Sequence, residues 1–521
     1  MYVTIGSLFM QTVRKFGAKE ALVDKTKGIR WTYEEWNVEV NRVSNALLDS
    51  GVKKGDRVST LLFNNAELSC LFFACAKIGA ILNPINFRLK PNEVAYIVKD
   101  AKPSVLVYEK LLEPIVAAVQ KDFPDVSFWL TDGEAPAFAE RYEKQVRLSS
   151  IDEPESDVDE NDPYAIMYTS GTTGRPKGVL HKHRSMVEQS LICGASLHVK
   201  DHDIGLVAAP MFHCAELHCN FLPRVHFGAV NVILHHFEPQ KVLEAIQEEK
   251  VSIMFGAPTM WNMMLQEDLS SYDISSLRLG LYGAAPMAPS LVKAIKEKLG
   301  INLLQAYGMT EMGPAVTFLD QHEQLTKVGS AGRAAINHEV RVVRPSEDGP
   351  SDPEAILPPG EVGEIIVKGP CMMTGYFNRP DATEKALYKG WYHSGDLGYM
   401  DDEGYLFVSD RVDDMVISGG ENVYPREIED VLHAHEGVLD VAVLGQPDEK
   451  WGEVVTAIIV KKDAALTEEA IDRYCRDSPN LATYKRPRKY VFVDELPRNA
   501  SGKIQKFMLR ERFQQNTNTP S

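Results

Sequence analysis

No two of the seven cysteines stand in CxxC spacing, so the chain carries neither a zinc-ligand pattern nor the framework of a small disulfide-held domain. They are scattered, at Cys70, Cys75, Cys193, Cys214, Cys219, Cys371 and Cys475, which fits a reduced, cytoplasmic setting. No apolar run is long enough to span a bilayer. The opening, MYVTIGSLFMQTVRKFG, lacks the charged segment and following apolar stretch of a secretory signal. Peripheral contact with a membrane surface is compatible with this pattern; a transmembrane segment is not. Positive charge is also in short supply, with 56 Lys and Arg against 73 Asp and Glu and a net charge of −17. Phosphate-rich polymers repel such a chain, so general binding to nucleic acid is excluded and any phosphate chemistry must rest on local basic groups. No internal repeat is present.

What is present is a chain of 521 residues, 44% apolar and 25% charged. That is the balance of a globular protein, and the length calls for two or more domains. The first part alternates helical and strand-like patterns. Residues 33–50 place apolar side chains at helical spacing and Gly51 offers a stop. RVSTLLF (57–63) reads as a buried strand, AELSCLFFACAKIGA (66–80) as a helix, and ILNPIN and SVLVYE (104–109) as strands. The alternation runs to INLLQAYG (301–308) and predicts α/β layers with mostly parallel sheets. From about residue 330 to 410, short strands separated by Gly and Pro predict a small antiparallel, barrel-like unit, with 345–360 as an exposed loop. After DRVDD (410–414), a helix, two strands, a helix and a strand predict a separate α+β unit. The expected fold class is thus α/β. A large N-terminal domain (1–411) of layered mixed sheets includes the barrel-like unit, and a small, mobile α+β domain (412–521) follows it.

The segment richest in chemistry is YTSGTTGRPKG, residues 168–178. Glycines let backbone N–H groups approach an anion closely, the hydroxyls of Thr169, Ser170, Thr172 and Thr173 add donors, and Lys177 adds a mobile cation. Together these suit a polyphosphate. The segment is not a Walker A loop, because Arg175 and Pro176 separate Gly174 from Lys177.

This segment resembles the phosphate-binding motif of the adenylate-forming superfamily, and in particular its acyl-CoA synthetase and fatty-acid–CoA ligase branch. The family's other segments follow in order along nearly the whole chain: TYEEWN (32–37), PINFRL (84–89), PMFH (210–213), GAAP (283–286), YGMTE (307–311), WYHSGDLG (391–398), DRVDDMVISGGENVYPREIE (410–429) and PRNASGK (497–503). The resemblance implies an enzyme that uses ATP and Mg²⁺ to convert a carboxylic acid to an acyl-adenylate and then passes the acyl group to the thiol of coenzyme A.

It also implies the site. Thr169, Ser170, Gly171, Thr172, Thr173, Gly174 and Lys177 would hold the triphosphate. Gly283, Ala284, Ala285, Gln305, Ala306, Tyr307 and Gly308 would line the nucleotide pocket, with Tyr307 against adenine. Glu311, beside Thr310, would hold Mg²⁺, a hard cation suited to oxygen ligands. Asp396 would accept both ribose hydroxyls from a turn after Gly395, and Arg411 would donate near the ribose and phosphates. His213 would stand between the nucleotide and acyl pockets. Lys503 would bridge substrate carboxylate and α-phosphate during adenylation. Rotation of the C-terminal domain about Asp413 would then withdraw Lys503 and bring Gly419, Gly420 and Glu421 to the site for the thiol step. The basic run 485–489 could meet CoA phosphates.

For the acid itself the residues say less. The resemblance puts its pocket at the residues after His213, at Pro258-Thr259 and at Leu279–Tyr282. Leu217 stands where many relatives carry an aromatic gate, and Ala306 where many carry Gly. A medium- or long-chain fatty acid is the first expectation; a short, branched or aryl acid is next. Glu216 and His218 are expected to face solvent. Other acceptors and activities are carried alongside: loading of a carrier protein, a luciferase-like oxidation, and a non-catalytic nucleotide-binding protein. A homodimer is compatible with the reading.

Overall fold

The computed structural model describes residues 3–169, 176–285, 287–346, 349–411, 414, 416–418, 421–448, 452–478, 481, 483, 485–498 and 504–517. Four sheets organise them. In the nine-stranded sheet, Asn302–Gly308, Leu279–Tyr282, Ile253–Phe255, Ile204–Val207, Val230–Ile233 and Glu20–Asp24 run parallel. Antiparallel strands close both edges, Ile29–Thr32 on one side and Ala315–Leu319 with Arg333–Ala334 on the other. The eight-stranded sheet has a parallel body and an antiparallel edge formed by Lys177–Lys182 and Gly375–Tyr376. The parallel reading therefore holds for the sheet interiors, while antiparallel pairing enters at edges, some of it through short hairpins and, for Gly375–Tyr376, through a distant segment.

Local signals account for the elements. The helix expected at 33–50 is Tyr33–Asp49. Thr32 starts it through a capping box: its hydroxyl accepts from Glu35 N at 3.2 Å while the Glu35 carboxylate accepts from Thr32 N at 2.8 Å. Part of the TYEEWN motif is thus helix-start chemistry. Ala66–Ile78 is buried along its length except at Glu67, which explains why its sequence is apolar on every side. Around it Phe9, Trp36, Phe72, Phe73 and Phe221 form one aromatic cluster, with Phe9 and Phe73 stacked at 4.2 Å.

Between 333 and 411 the expected antiparallel unit is a five-stranded sheet, Glu339–Val343, Gly363–Lys368, Trp391–Met400, Leu387–Tyr388 and Leu406–Arg411. Beyond it, Val416–Ser418, Glu421–Val423, Val438–Asp448, Gly452–Lys461 and Lys489–Val493 form the fourth sheet. Helices Pro425–His433 and Glu468–Asp477 contribute Ile428, Leu432, Ile471 and Cys475 to its core.

Two expectations are corrected. Glu216 and His218 do not face solvent: both are 0% exposed. The segment after His213 passes from Cys214–Glu216 through a π-helical turn, Leu217–Phe221, into Leu222–His226, and is enclosed on all sides. Arg224, 1% exposed at its side chain, donates to Glu216 Oε1 at 2.7 Å and to Leu206 O at 3.3 Å. The guanidinium lies against Gly205, where a Cβ would fall 2.1 Å from its Cδ. His218 meets the hydroxyl of Tyr164. A charged residue can be buried when its partner is buried with it, and a short motif does not reveal a partner eight residues away. Asp396, expected in a turn, lies inside the strand Trp391–Met400; the left-handed Gly395 (φ 67°) kinks the strand where its register with Gly363–Lys368 shifts.

Removing one partner of a buried ion pair leaves an uncompensated charge. Arg224→Met should lower stability by about 3–5 kcal/mol, and the double variant with Glu216→Leu should recover most of that loss. Chemical denaturation of the set is the check.

Candidate active site

The parallel strands of the nine-stranded sheet end on one edge. There the chain leaves Ile204–Val207 toward Pro210–His213, Leu279–Tyr282 toward Gly283–Ala285, and Asn302–Gly308 toward Met309–Glu311. This edge is where open α/β sheets present ligand-binding loops. The hairpin of Pro163–Thr169 and Lys177–Lys182 holds the two ends of the phosphate-type loop, with Thr169 opposite Lys177. Gly178 is needed there, since a Cβ would lie 2.7 Å from Ile166 Cγ2. Ser170, Gly171, Thr172, Thr173 and Gly174 lie outside the described residues.

Several expected site groups come together. Tyr307 donates to Asp396 Oδ2 at 2.6 Å, joining the nine-stranded sheet to the kinked strand. Glu311, 8% exposed, accepts from the Tyr376 hydroxyl at 2.8 Å. Lys177 Nζ stands 4.4 Å from the centroid of the Tyr376 ring, within cation–π range. Thr310 Oγ1 is 3.3 Å from Cys214 Sγ, so the short helical turn Thr310–Met312 abuts the helix after His213. Small residues are required at the adjoining turns. A Cβ on Gly283 would sit 2.6 Å from Ala306 O, and one on Gly308 only 1.8 Å from Pro314 O. Ala284 adopts φ 65°, a left-handed conformation that costs a non-glycine residue about 1–3 kcal/mol and is characteristic of ligand sites.

His213 caps the helix that follows it: its Nδ1 accepts from Ala215 N at 3.4 Å. Burial lowers its pKa to about 4, so the ring is neutral near pH 7. With Nδ1 accepting, the proton sits on Nε2, making the ring a hydrogen-bond donor rather than an acid. The loop carrying it is clamped by the buried Asn64, whose Oδ1 accepts from Met211 N at 2.8 Å and whose Nδ2 donates to Ala209 O at 2.9 Å.

Other expected groups are placed less directly. The Gln305 side chain is engaged by the Tyr282 hydroxyl at 2.9 Å. Arg411 pairs in register with Asp396 through the backbone, and Glu421 pairs with Ser418; the side chains of Arg411 and Glu421 lie outside the described residues, as do Asp413, Gly419, Gly420 and Lys503. In the basic run, Lys485 pairs with Glu427 and Arg486 with Asp472, so two of its charges are already engaged within the fold.

Asn64 and Tyr376 were not singled out in the sequence. Asn64 is one of two consecutive asparagines after a strand, a pattern that reads as a helix cap; Asn65 does cap the following helix. Tyr376 sits in GYFNRP with no pattern of its own.

The donor set suits nucleotide chemistry. A buried carboxylate beside a hydroxyl offers hard oxygen ligands, and among the described residues no three His, Cys, Asp or Glu side chains converge as a metal cage. A cation held by Glu311 would be a hard one that prefers oxygen ligands, as Mg²⁺ does.

The family model for AMP-binding enzymes matches residues 9–377, and that for the AMP-binding enzyme C-terminal domain matches residues 427–503. A long-chain-fatty-acid–CoA ligase of Mycobacterium tuberculosis, FadD13, is 39% identical over 513 residues, 98% of either chain. A feruloyl-CoA synthase of Amycolatopsis sp is 38% identical over 488 residues, 93% of this chain and 94% of that one. The crystal structure of ATP-bound MatB from Rhodopseudomonas palustris aligns with a TM-score of 0.88 at 30% identity, covering 98% of this chain and 99% of that one.

The site is backed by neutral histidines. Burial lowers His181 and His183 to about 4, below the value of about 6.5 for an unfolded chain. Protons thus bind the unfolded state more readily. The stability these rings contribute is complete above pH 6.5 and is lost as pH falls from 6.5 toward 4, at about 1.4 kcal/mol per pH unit for each. Urea midpoints measured across this range should decline, and the decline should shrink in His181→Asn.

Proposed function

The chain belongs to the family of AMP-binding enzymes, and from that membership we propose how its residues divide the work of an ATP-dependent carboxylic acid–CoA ligase. The protein is an acid–thiol ligase that forms acyl-CoA and AMP. A carboxylate oxygen attacks the α-phosphorus of ATP and pyrophosphate leaves; the thiol sulfur of CoA then attacks the acyl carbon and AMP leaves. Positioning and charge neutralisation carry both steps, since little covalent work falls to the protein.

Two contacts carry the assignment of roles: Tyr376 joins Lys177 to Glu311, and Tyr307 bonds directly to Asp396, both beside the end of the strand Asn302–Gly308. Lys177 and the hairpin loop hold the triphosphate. Glu311 would hold Mg²⁺, which would supply charge neutralisation at the phosphate oxygens. Asp396 accepts the ribose hydroxyls, with Tyr307 fixing its carboxylate and packing against adenine. Neutral His213 donates from Nε2 toward the reacting carboxyl. Lys503 closes over the α-phosphate for adenylation and leaves when the unit beyond Asp413 turns, which brings the 419–421 segment to the thiol.

The acid is a medium- or long-chain fatty acid in the first reading, supported by likeness to the fatty-acid–CoA ligase. An aryl acid is the second. It is favoured by the near-equal likeness to the feruloyl-CoA synthase and by the polar side chains, Glu216, His218 and Asn220, buried in the helical segment after His213. No helix among the described residues is long and apolar enough to cross a membrane. A cytoplasmic setting belongs to the same reading, supported by seven buried free thiols, and so does a homodimer, which sedimentation tests.

Acid-dependent pyrophosphate exchange across a carboxylic acid panel, run with and without CoA, should show activity peaking on one acid class and net AMP release only with CoA. Lys503→Ala should abolish exchange and largely spare thioester formation from preformed acyl-AMP. Equal loss of both half-reactions would sink domain alternation.

A further inference from the structure

Tyr376 lies on a two-residue strand, Gly375–Tyr376, that pairs with Lys177–Lys182 at the edge of the eight-stranded sheet. Its backbone is held on several sides. Its N–H donates to Thr383 Oγ1 at 2.8 Å, its carbonyl accepts from Arg379 N at 3.1 Å, and the next residue, Phe377, donates to Gly178 O at 2.7 Å. The side chain, 6% exposed, points from this sheet to the loop that ends a strand of the other one. There its hydroxyl donates to Glu311 Oε1. An ionised carboxylate only accepts, so the phenolic proton is committed to Glu311. The phenolic oxygen remains able to accept. The Glu311 backbone is tied to the same stretch, its carbonyl accepting from Met373 N at 2.7 Å. On its face, the Tyr376 ring carries the Lys177 ammonium.

We propose that Tyr376 is a positioning residue that couples the two electrostatic elements of adenylation: its hydroxyl aims the Glu311 carboxylate at the metal, and its ring holds Lys177 at the mouth of the phosphate loop. This rests on the roles given above to Glu311 and Lys177. A side chain that orients a ligand's second oxygen limits the ligand's rotation, and loss of such outer contacts typically weakens metal binding about 10–100-fold. A ring under an ammonium directs it without neutralising it. The two halves of the side chain thus act separately and can be separated by substitution. Tyr376→Phe removes the hydroxyl and keeps the ring; Tyr376→Leu removes both.

The test uses the full chain with α,β-methylene-ATP and Mn²⁺ as a probe for the metal, free Mn²⁺ being counted by electron paramagnetic resonance. Steady-state KM for ATP is measured beside it at saturating Mg²⁺. Tyr376→Phe should weaken Mn²⁺ binding about tenfold, with the KM for ATP within about twofold of the parent. Tyr376→Leu should weaken Mn²⁺ binding similarly and also raise the KM for ATP about threefold or more. Glu311→Gln is the reference. If it loses Mn²⁺ affinity while Tyr376→Phe retains the parent value, the coupling is overturned and the role of Glu311 stands. If Glu311→Gln itself binds Mn²⁺ as the parent does, the role of Glu311 falls, and the coupling with it. Equal KM values for ATP in the Phe and Leu variants would overturn the ring's part alone.

Discussion

The parallel pairing of Ile253–Phe255, Leu279–Tyr282 and Asn302–Gly308 sets where every later feature can be. Hydrogen bonding in register, with Tyr282 opposite Gln305, forces the loops after these strands onto one edge. There Gly283 and Gly308 permit backbone contacts that a single methyl would block. The same approach turns Tyr307 toward Asp396 and brings Glu311 beneath Tyr376. A parallel sheet cannot be assembled from hairpins, so each of these loops is separated by a crossover helix, and the site is necessarily built from residues far apart in the chain.

Polar groups behave differently in this interior from what their residue types suggest. Glu216 and Arg224 are enclosed together, His218 is enclosed with Tyr164, and Asn64 spends its amide on the backbone leading to His213. Burying such groups is tolerable because each finds a partner, and the partners come from other elements.

Much of this was legible in the residues. Helical and strand periodicities located Tyr33–Asp49, Ala66–Ile78 and Asn302–Gly308 to within a few positions, because local spacing carries that information. The ordered motifs pointed to the loops that the sheet edge gathers. Asp396 is expected in a turn and lies in a strand, since a glycine-kinked strand and a turn share the same Gly-Asp signature. Tyr376 left no signal, because a tyrosine near Gly and Pro is common and its significance lies wholly in the Lys177 and Glu311 it touches.

By itself the chain determined its α/β alternation, its cysteine-poor and acidic chemistry, and the small residues and lysine of the 168–178 segment, all encoded within a few neighbouring positions. Only the tertiary structure decided that Glu216 and His218 are enclosed, that Asp396 answers Tyr307, and that one tyrosine touches both the loop lysine and the buried carboxylate. Those facts depend on contacts between strands and helices distant in sequence, and burial and hydrogen-bond partnership exist only once the sheets have come together.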